Sequence, residues 1–292
     1  MKYAFFPGCV LKGAAAEAYT SVSKVCEALG IELVEIENWT CCGASHAQGV
    51  NDLAALAVNA RNISIAENLK LPIMTICNTC TLQLRMAKQR LDKDKALREK
   101  VNGILKDAGH PYPYQGTSEV THLLWVLDKH PELLKGKVRN PLSKMKVAAY
   151  YGCHILRPED VMNHEDGRNP KSMERLIKSL GATSVPFDES RKCCGFHAQL
   201  AAEHDVLKAT GQITDSAAKA KADVLVTPCP LCQMQLDMNA PEARDAVGSK
   251  AELPILHLQQ LIGFALGMSP EEMGFGRHIS GKDKLNKALF TS

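Results

Sequence analysis

Ten of the chain's eleven cysteines fall into two sets of five with the same internal order, and no other feature constrains the fold as strongly. In each set a single cysteine comes first, a Cys-Cys-Gly follows, and a C-x-x-C closes it: Cys9, Cys41, Cys42, Cys77 and Cys80, then Cys153, Cys193, Cys194, Cys229 and Cys232. Neighbouring residues repeat too, W-T-C-C-G-A-S-H-A-Q at 39–48 against R-K-C-C-G-F-H-A-Q at 191–199. A gap of 34 residues separates Cys42 from Cys77 and again Cys194 from Cys229, while 31 residues separate Cys9 from Cys41 and 39 separate Cys153 from Cys193. Adjacent side chains on a strand point to opposite faces, so two cysteines aimed at one site demand a turn or bulge, which the following glycine suits. A repeat of this kind predicts two similar units, each building one metal site.

The length of 292 residues allows two units of ordinary domain size, and we expect a boundary near Ser143, giving units 1–143 and 144–292. Hydrophobic content of 45% and charged content of 23% are those of a soluble globular protein. A net charge of +3 is too mild to imply a nucleic-acid partner, though it allows a locally basic cleft for an anionic small molecule. Met1 to Gly8 runs straight into a strand-like stretch with no signal peptide. The most apolar window, Leu253 to Met268, is broken by His257, Gln259 and Gln260 and falls short of the ~20 residues of a membrane span, so it reads as a core helix. A cytoplasmic protein is expected, and in that compartment so many cysteines point to metal or redox chemistry, not disulfides.

Strand and helix patterns alternate, and every cysteine cluster follows a strand. Lys2–Phe6, Ile31–Ile36 and Pro72–Ile76 read as strands, and Gly13–Leu29 (closed by Gly30) and Asn51–Leu69 as helices, with a third starting at Cys77-Asn78-Thr79-Cys80. The mixed-charge stretch Gln89–Lys106 predicts a solvent-exposed helical insertion, Thr121–Leu127 a further apolar element, and Pro131–Pro141 a linker. The order then restarts: strands at Lys146–Tyr150, Ser184–Phe187 and Ala222–Thr227, helices at Ser172–Leu180 and Asp205–Ala220, and Leu256-His257-Leu258 echoing Thr121-His122-Leu123. The glycine-rich, basic tail beyond Ser269 is expected to be a peripheral arm. The fold class is therefore α/β.

Five thiolates per half exceed the four that zinc or a cubane iron–sulfur cluster takes, and suit a larger or more open iron–sulfur assembly in which neighbouring thiolates bind different irons. Cys26, left over on an apolar helix face, reads as a buried small hydrophobe. With no G-x-G-x-x-G opening either unit, electrons must come from a partner subunit.

These motifs resemble those of the cysteine-rich CCG-domain family, and the tandem of complete copies, covering nearly the whole chain, is similar to the B subunits of methanogen heterodisulfide reductases. The resemblance implies two Rossmann-like α/β domains related by a pseudo-twofold. It implies two noncubane [4Fe-4S] clusters, each held by one set of five cysteines, and reduction of the mixed disulfide of coenzymes M and B. It further implies a ferredoxin-like C subunit and a flavin-containing A subunit as partners, linked to a hydrogenase or formate dehydrogenase. Breaking a disulfide takes two electrons, which two one-electron centres facing one cleft would supply. His154, directly after Cys153, is the candidate proton donor. His46 and His197, together with the cations Lys12, Arg191 and Lys192 that flank the cysteines, are candidates for substrate binding. Two other readings compete: an iron–sulfur subunit of a glycolate-, lactate- or succinate-type oxidoreductase, and a zinc-binding interaction module.

Overall fold

The computed structural model describes residues 1–44, 46–281 and 284. Its first half runs β1 (Lys2–Phe5), α1 (Gly8–Leu11), α2 (Ala16–Leu29), β2 (Glu32–Glu35), α3 (His46–Val50), α4 (Asp52–Asn68), β3 (Ile73–Thr75), α5 (Asn78–Lys93), α6 (Lys95–Asp107), β4 (Val120–His122) and α7 (Leu123–Lys129). The second runs β5 (Lys146–Ala149), α8 (Ser172–Ser179), β6 (Thr183–Val185), α9 (Glu203–Lys219), β7 (Val224–Thr227), α10 (Pro230–Met238), α11 (Ala240–Val247), β8 (Ile255–His257) and α12 (Leu258–Ala265). Short apolar strands separated by helices pair in parallel, because a helical crossover returns the chain to the same end of the sheet. Two four-stranded parallel sheets result, with equivalent orders β2-β1-β3-β4 and β6-β5-β7-β8.

That order fixes where a site can form. The chain winds one way from β1 to β2 and the other way from β1 to β3, so a crevice opens at the carboxyl ends of β1 and β3. Cys9 follows β1 and Cys77 follows β3; Cys153 and Cys229 follow β5 and β7 in the second sheet. The halves join reciprocally: α2, after β1, packs on α12, while α8, after β5, packs on α7. Each contact is centred on a carboxylate, buried in Glu17 and mostly buried in Asp128. Glu17 of α2 meets His257 Nε2 at 3.1 Å and Arg277 Nε at 2.8 Å, and Asp128 of α7 meets His164 Nε2 at 2.8 Å and Arg175 Nε at 2.7 Å.

Several expectations need correction. The charged stretch 89–106 is not a free insertion: Leu91, Val101 and Leu105 are buried and α6 packs against α4, so its charges mark only the outer face of an amphipathic pair. Leu253–Met268 is not one helix but β8 followed by α12; two of the polar residues that interrupt it, His257 and Gln260, form a capping box, Gln260 Oε1 accepting the His257 N–H at 2.9 Å. Thr121–Leu127 splits in the same way, with His122 capping α7. The segment after Ser269 is no peripheral arm as far as residue 281, because Met273, Phe275, His278 and Ser280 are buried and Arg277 reaches Glu17 in the other half. The rest of that expected arm, residues 282–283 and 285–292, lies outside the described residues.

Candidate metal centres

Each C-x-x-C begins a helix. Cys77 and Cys229 are the residues before the first turns of α5 and α10, and Cys80 and Cys232 lie three further on, which puts both thiols of each motif on one side of the helix start. The vicinal pairs sit on tight turns. Gly43 and Gly195 have φ of +81° and +83°, and a Cβ there would come within 2.6 Å of Ala47 Cβ and 2.7 Å of a Val206 methyl, so conformation and space both require glycine. Their N–H groups donate to Cys41 and Cys193 Sγ, each at 3.4 Å.

The ten thiols form one continuous line. Cys9 Sγ lies 3.6 Å from Cys41 Sγ, and Cys42 Sγ 3.6 Å from Cys80 Sγ. Further contacts link Cys41 to Cys42, Cys80 to Cys77, and Cys77 across the interface to Cys229. From Cys229 the line continues through Cys232, Cys194 and Cys193 to Cys153, repeating the first half in reverse. The hydrogen bonds from Cys42, Cys9 and the Gly43 N–H hold the Cys41 thiol down at about 2, and those from Cys153, Cys194 and the Gly195 N–H do the same for Cys193. Bonding to these thiolates pushes Cys42 and Cys194 up to about 12. Cys26 stands apart, wholly buried in α2, its thiol pushed up to about 12 by burial.

Five thiols around the first crevice, with Pro7, Thr79 and Phe196 of the second half among their neighbours, line a cavity of about 130 Å³. Among the described residues, no three His, Cys, Asp or Glu side chains converge as they would on one bare ion. Gly8 and Gly152 leave the room: a Cβ at either would lie 3.0 Å from Cys80 or Cys232 Sγ. Buried thiols pushed toward protonation bind as thiolates only when a metal charge compensates them. The donor set and the cavity thus fit a multi-iron cluster held by five cysteines in the first half, and the same donors recur in the second.

The three candidate histidines come together beside this line. His197 packs against His46 of the other half at 5.4 Å between ring centroids and against His154 at 5.3 Å. Thr79 Oγ1 bridges the last two, 2.9 Å from His154 Nδ1 and 3.5 Å from His197 Nε2, while His197 Nδ1 has no partner among the described residues. Burial lowers the His197 pKa, with the neighbouring histidines adding to the effect. The candidate cations are engaged elsewhere. Lys12 pairs with Glu35 at 2.8 Å and covers the Tyr19 ring, Lys192 pairs with Glu189 at 2.6 Å, and Arg191 donates to the Arg168 carbonyl. Sequence reasoning missed Asn78 and Thr79. Asn78 Nδ2 donates to the Tyr151 carbonyl across the interface at 2.9 Å, and its buried Oδ1 has no partner among the described residues. A signal existed: the first C-x-x-C holds polar Asn-Thr where the second holds Pro-Leu.

The family model of the cysteine-rich CCG domain matches residues 3–85 and 147–237. The chain is 49% identical, over 97% of its length and 99% of the relative's, to the 8-methylmenaquinol:fumarate reductase membrane anchor subunit of Wolinella succinogenes. It is 32% identical to the B subunit of the ferredoxin:CoB-CoM heterodisulfide reductase of Methanosarcina mazei, over 94% of this chain and 92% of that one. To a protein of Archaeoglobus profundus that is itself named as like the B subunit of heterodisulfide reductase it is 30% identical, over 99% and 98%. A crystal structure of a hypothetical protein from Helicobacter pylori shares the fold, with a TM-score of 0.77 at 16% identity; it is matched over 95% of this chain, which spans 51% of that one. Among the described residues no helix is long and apolar enough to cross a membrane.

Proposed function

Because the chain belongs to the cysteine-rich CCG domain family, we propose that it is the iron–sulfur subunit of a multi-subunit reductase, carrying electrons between a quinol and a partner subunit that reduces a small acid. The observation that carries this reading is the end-to-end 49% identity to a subunit named for 8-methylmenaquinol and fumarate. It corresponds to the succinate-type alternative considered from the sequence.

Each set of five cysteines would hold one cluster, which when bound takes up and gives up one electron at a time. The residues of the chain supply the rest. The line of thiols, joined at Cys77 and Cys229, brings the two sites together through the interface without an intervening domain. Oxidation of a quinol releases two electrons and two protons, and His154, held by Thr79 beside Cys153, can accept one of those protons. His46 and His197 line the same approach. With no membrane-crossing helix among the described residues, the protein would meet a membrane quinol from one face or through a partner.

Reduction of the coenzyme M and B heterodisulfide, with A and C subunits as partners in the cytoplasm, is the second reading, supported by the full-length matches at 32% and 30%. One experiment separates the two. Anaerobically purified protein is expected to contain roughly eight irons and no zinc, and its paramagnetic-resonance signals to respond to a menaquinol analogue but not to either thiol. Thiol-induced signals without a quinol response would favour the heterodisulfide; zinc in place of iron would overturn both and leave the interaction module.

A further inference from the structure

Arg191 stands beside the second vicinal pair, yet the function proposed above makes no use of it. It lines a second cavity, of about 170 Å³, at the carboxyl ends of β5 and β6. Ala149 and Tyr151 form one wall, Val185 and Phe187 another, and the segment that enters α8 closes it with Arg168, Lys171 and Glu174. The charges here do not balance. Arg168, Lys171 and Arg191 face a single carboxylate, Glu174, so two positive charges are in excess, and Glu174 already accepts the Tyr151 O–H at 2.5 Å. Among the described residues Lys171 and Arg191 have no ion pair, and Arg168 has Glu159 at 3.8 Å. Glu165, in the same loop, is taken up by the Lys171 and Ser172 N–H groups at 2.7 and 2.9 Å. Arg191 donates to the Arg168 carbonyl, and Arg157 Nη2 to the Arg191 carbonyl at 2.7 Å, so backbone oxygens fix these guanidinium groups without cancelling their charge. The equivalent strands of the first half carry the opposite sign. A cavity of about 490 Å³ beside β1 and β2 is lined by Glu27, Glu32 and Glu35, the last two paired with Lys2 and Lys12. The positive excess therefore belongs to the second half and is not dictated by the fold. Cations gathered in a concave place repel one another, and an anion that accepts from several of them removes that cost.

We propose that this cavity binds a small divalent oxyanion, a short dicarboxylate or inorganic phosphate, held between Lys171 and Arg191. The excess of two positive charges sets the valence, and a guanidinium fork matches the paired oxygens of a carboxylate or phosphate. The volume sets the size, since it lies well below the roughly 300 Å³ at which drug-sized sites begin. An occupant would touch both segments that enter the second cysteine set. Tyr151 lies two residues before Cys153 and Arg191 two before Cys193, and the Tyr151 N–H donates to the Ser190 carbonyl at 2.9 Å. A bound anion thus braces the scaffold of the second centre. The inference does not depend on whether the protein serves a quinol or a disulfide, so its failure would leave that reading intact.

The test is isothermal titration calorimetry of the full-length holoprotein with succinate and with inorganic phosphate, at constant ionic strength and with acetate as the monovalent control. At least one of the two dianions is expected to bind at one site per chain, about tenfold or more tighter than acetate. Binding of succinate alone would assign a dicarboxylate and binding of phosphate alone a phosphate group; either result, or both, supports the site. Lys171→Gln and Arg191→Gln should each weaken binding about tenfold and the double variant should abolish it. Lys12→Gln, beside the acidic cavity of the first half, should leave it unchanged. Lys171 is exposed, so Lys171→Gln tests the site even if Arg191→Gln, which loses its bond to the Arg168 carbonyl, unfolds. No heat with either dianion, acetate binding as tightly as both, or undiminished binding in Lys171→Gln would overturn the proposal.

Discussion

The two halves share a sheet order and a cysteine set, and differ mainly in the segments that hold them together. In the first half Cys9 sits on the four-residue α1 and the chain moves directly into α2. In the second, Cys153 opens a long loop to α8, and this loop crosses to the partner half: Arg85 donates to the Val161 carbonyl at 2.8 Å and to Asn163 Oδ1 at 2.8 Å, and His164 bonds Asp128. The second half returns the contact from its other end, where the segment after α12 brings Arg277 to Glu17 and Glu272 to Lys24. Symmetric elements therefore build the sites and the helix packing of the joint, and asymmetric segments add the ion pairs and hydrogen bonds that lock it.

The comparison breaks most sharply at the ligands. Cys80→Ser in one protein and Cys232→Ser in another should each remove about half the iron, from roughly eight atoms to roughly four, while the signal of the other centre survives. Loss of all iron in either variant would mean that the halves are not separate sites sharing a joint. Iron analysis and paramagnetic resonance on the purified variants decide it.

The joint is tested next. Asp128→Ala leaves the mostly buried His164 side chain without its partner, and Glu17→Ala does the same to His257; each should cost about 2–4 kcal/mol in urea unfolding. If the segment after Ser269 were an appended arm, Glu17→Ala would cost far less than Asp128→Ala. The acid response sharpens the point. Burial works to raise both carboxyls, but Asp128 is held below its ordinary 3.8 by Arg175 and His164, and Glu17 below 4.5 by His257 and Arg277. A carboxylate depressed in the folded state stabilises the fold above its unfolded pKa and loses that contribution as the pH falls, so the gap between wild type and either variant should narrow from about pH 4.5 downward.

A smaller effect is expected at the cradle glycines. Gly8 and Gly152 have φ of +71° and +70°, so Gly8→Ala or Gly152→Ala adds roughly 1–2 kcal/mol of backbone strain and crowds one thiol. Each variant should release iron faster from its own site only, measured as the rate of chelation.

What the sequence made legible follows from what is local. The strand and helix alternation, Gly30 closing α2 and a helix opening at Asn51 could be read because turn residues and apolar spacing act within a few positions. The ten cysteines could be grouped because their spacing repeats. The interface could not be read: that Thr79 would bridge His154 and His197, or that Glu17 would meet His257 240 residues away, depends on how two sheets face each other. The same nonlocal packing buried Met273 and Phe275 in a stretch whose glycines and charges suggested a free arm.

The smallest effects belong to the cations beside the cysteines, and there the halves should behave alike. Lys12 lies three residues after Cys9 and pairs with Glu35, and Lys192 lies just before Cys193 and pairs with Glu189, so each is already neutralised by a nearby glutamate. As partly exposed pairs they contribute about 0–1 kcal/mol, and Lys12→Ala and Lys192→Ala should leave stability within that range. A neutral quinol offers them no charge, so KM for a menaquinol analogue should be unchanged in both variants and in Arg191→Ala. A several-fold rise in KM for an anionic disulfide, in step for Lys12→Ala and Lys192→Ala, would instead show both cations leaving their glutamates for substrate and would shift the balance toward the heterodisulfide. A rise in one variant alone would assign the anion to one half.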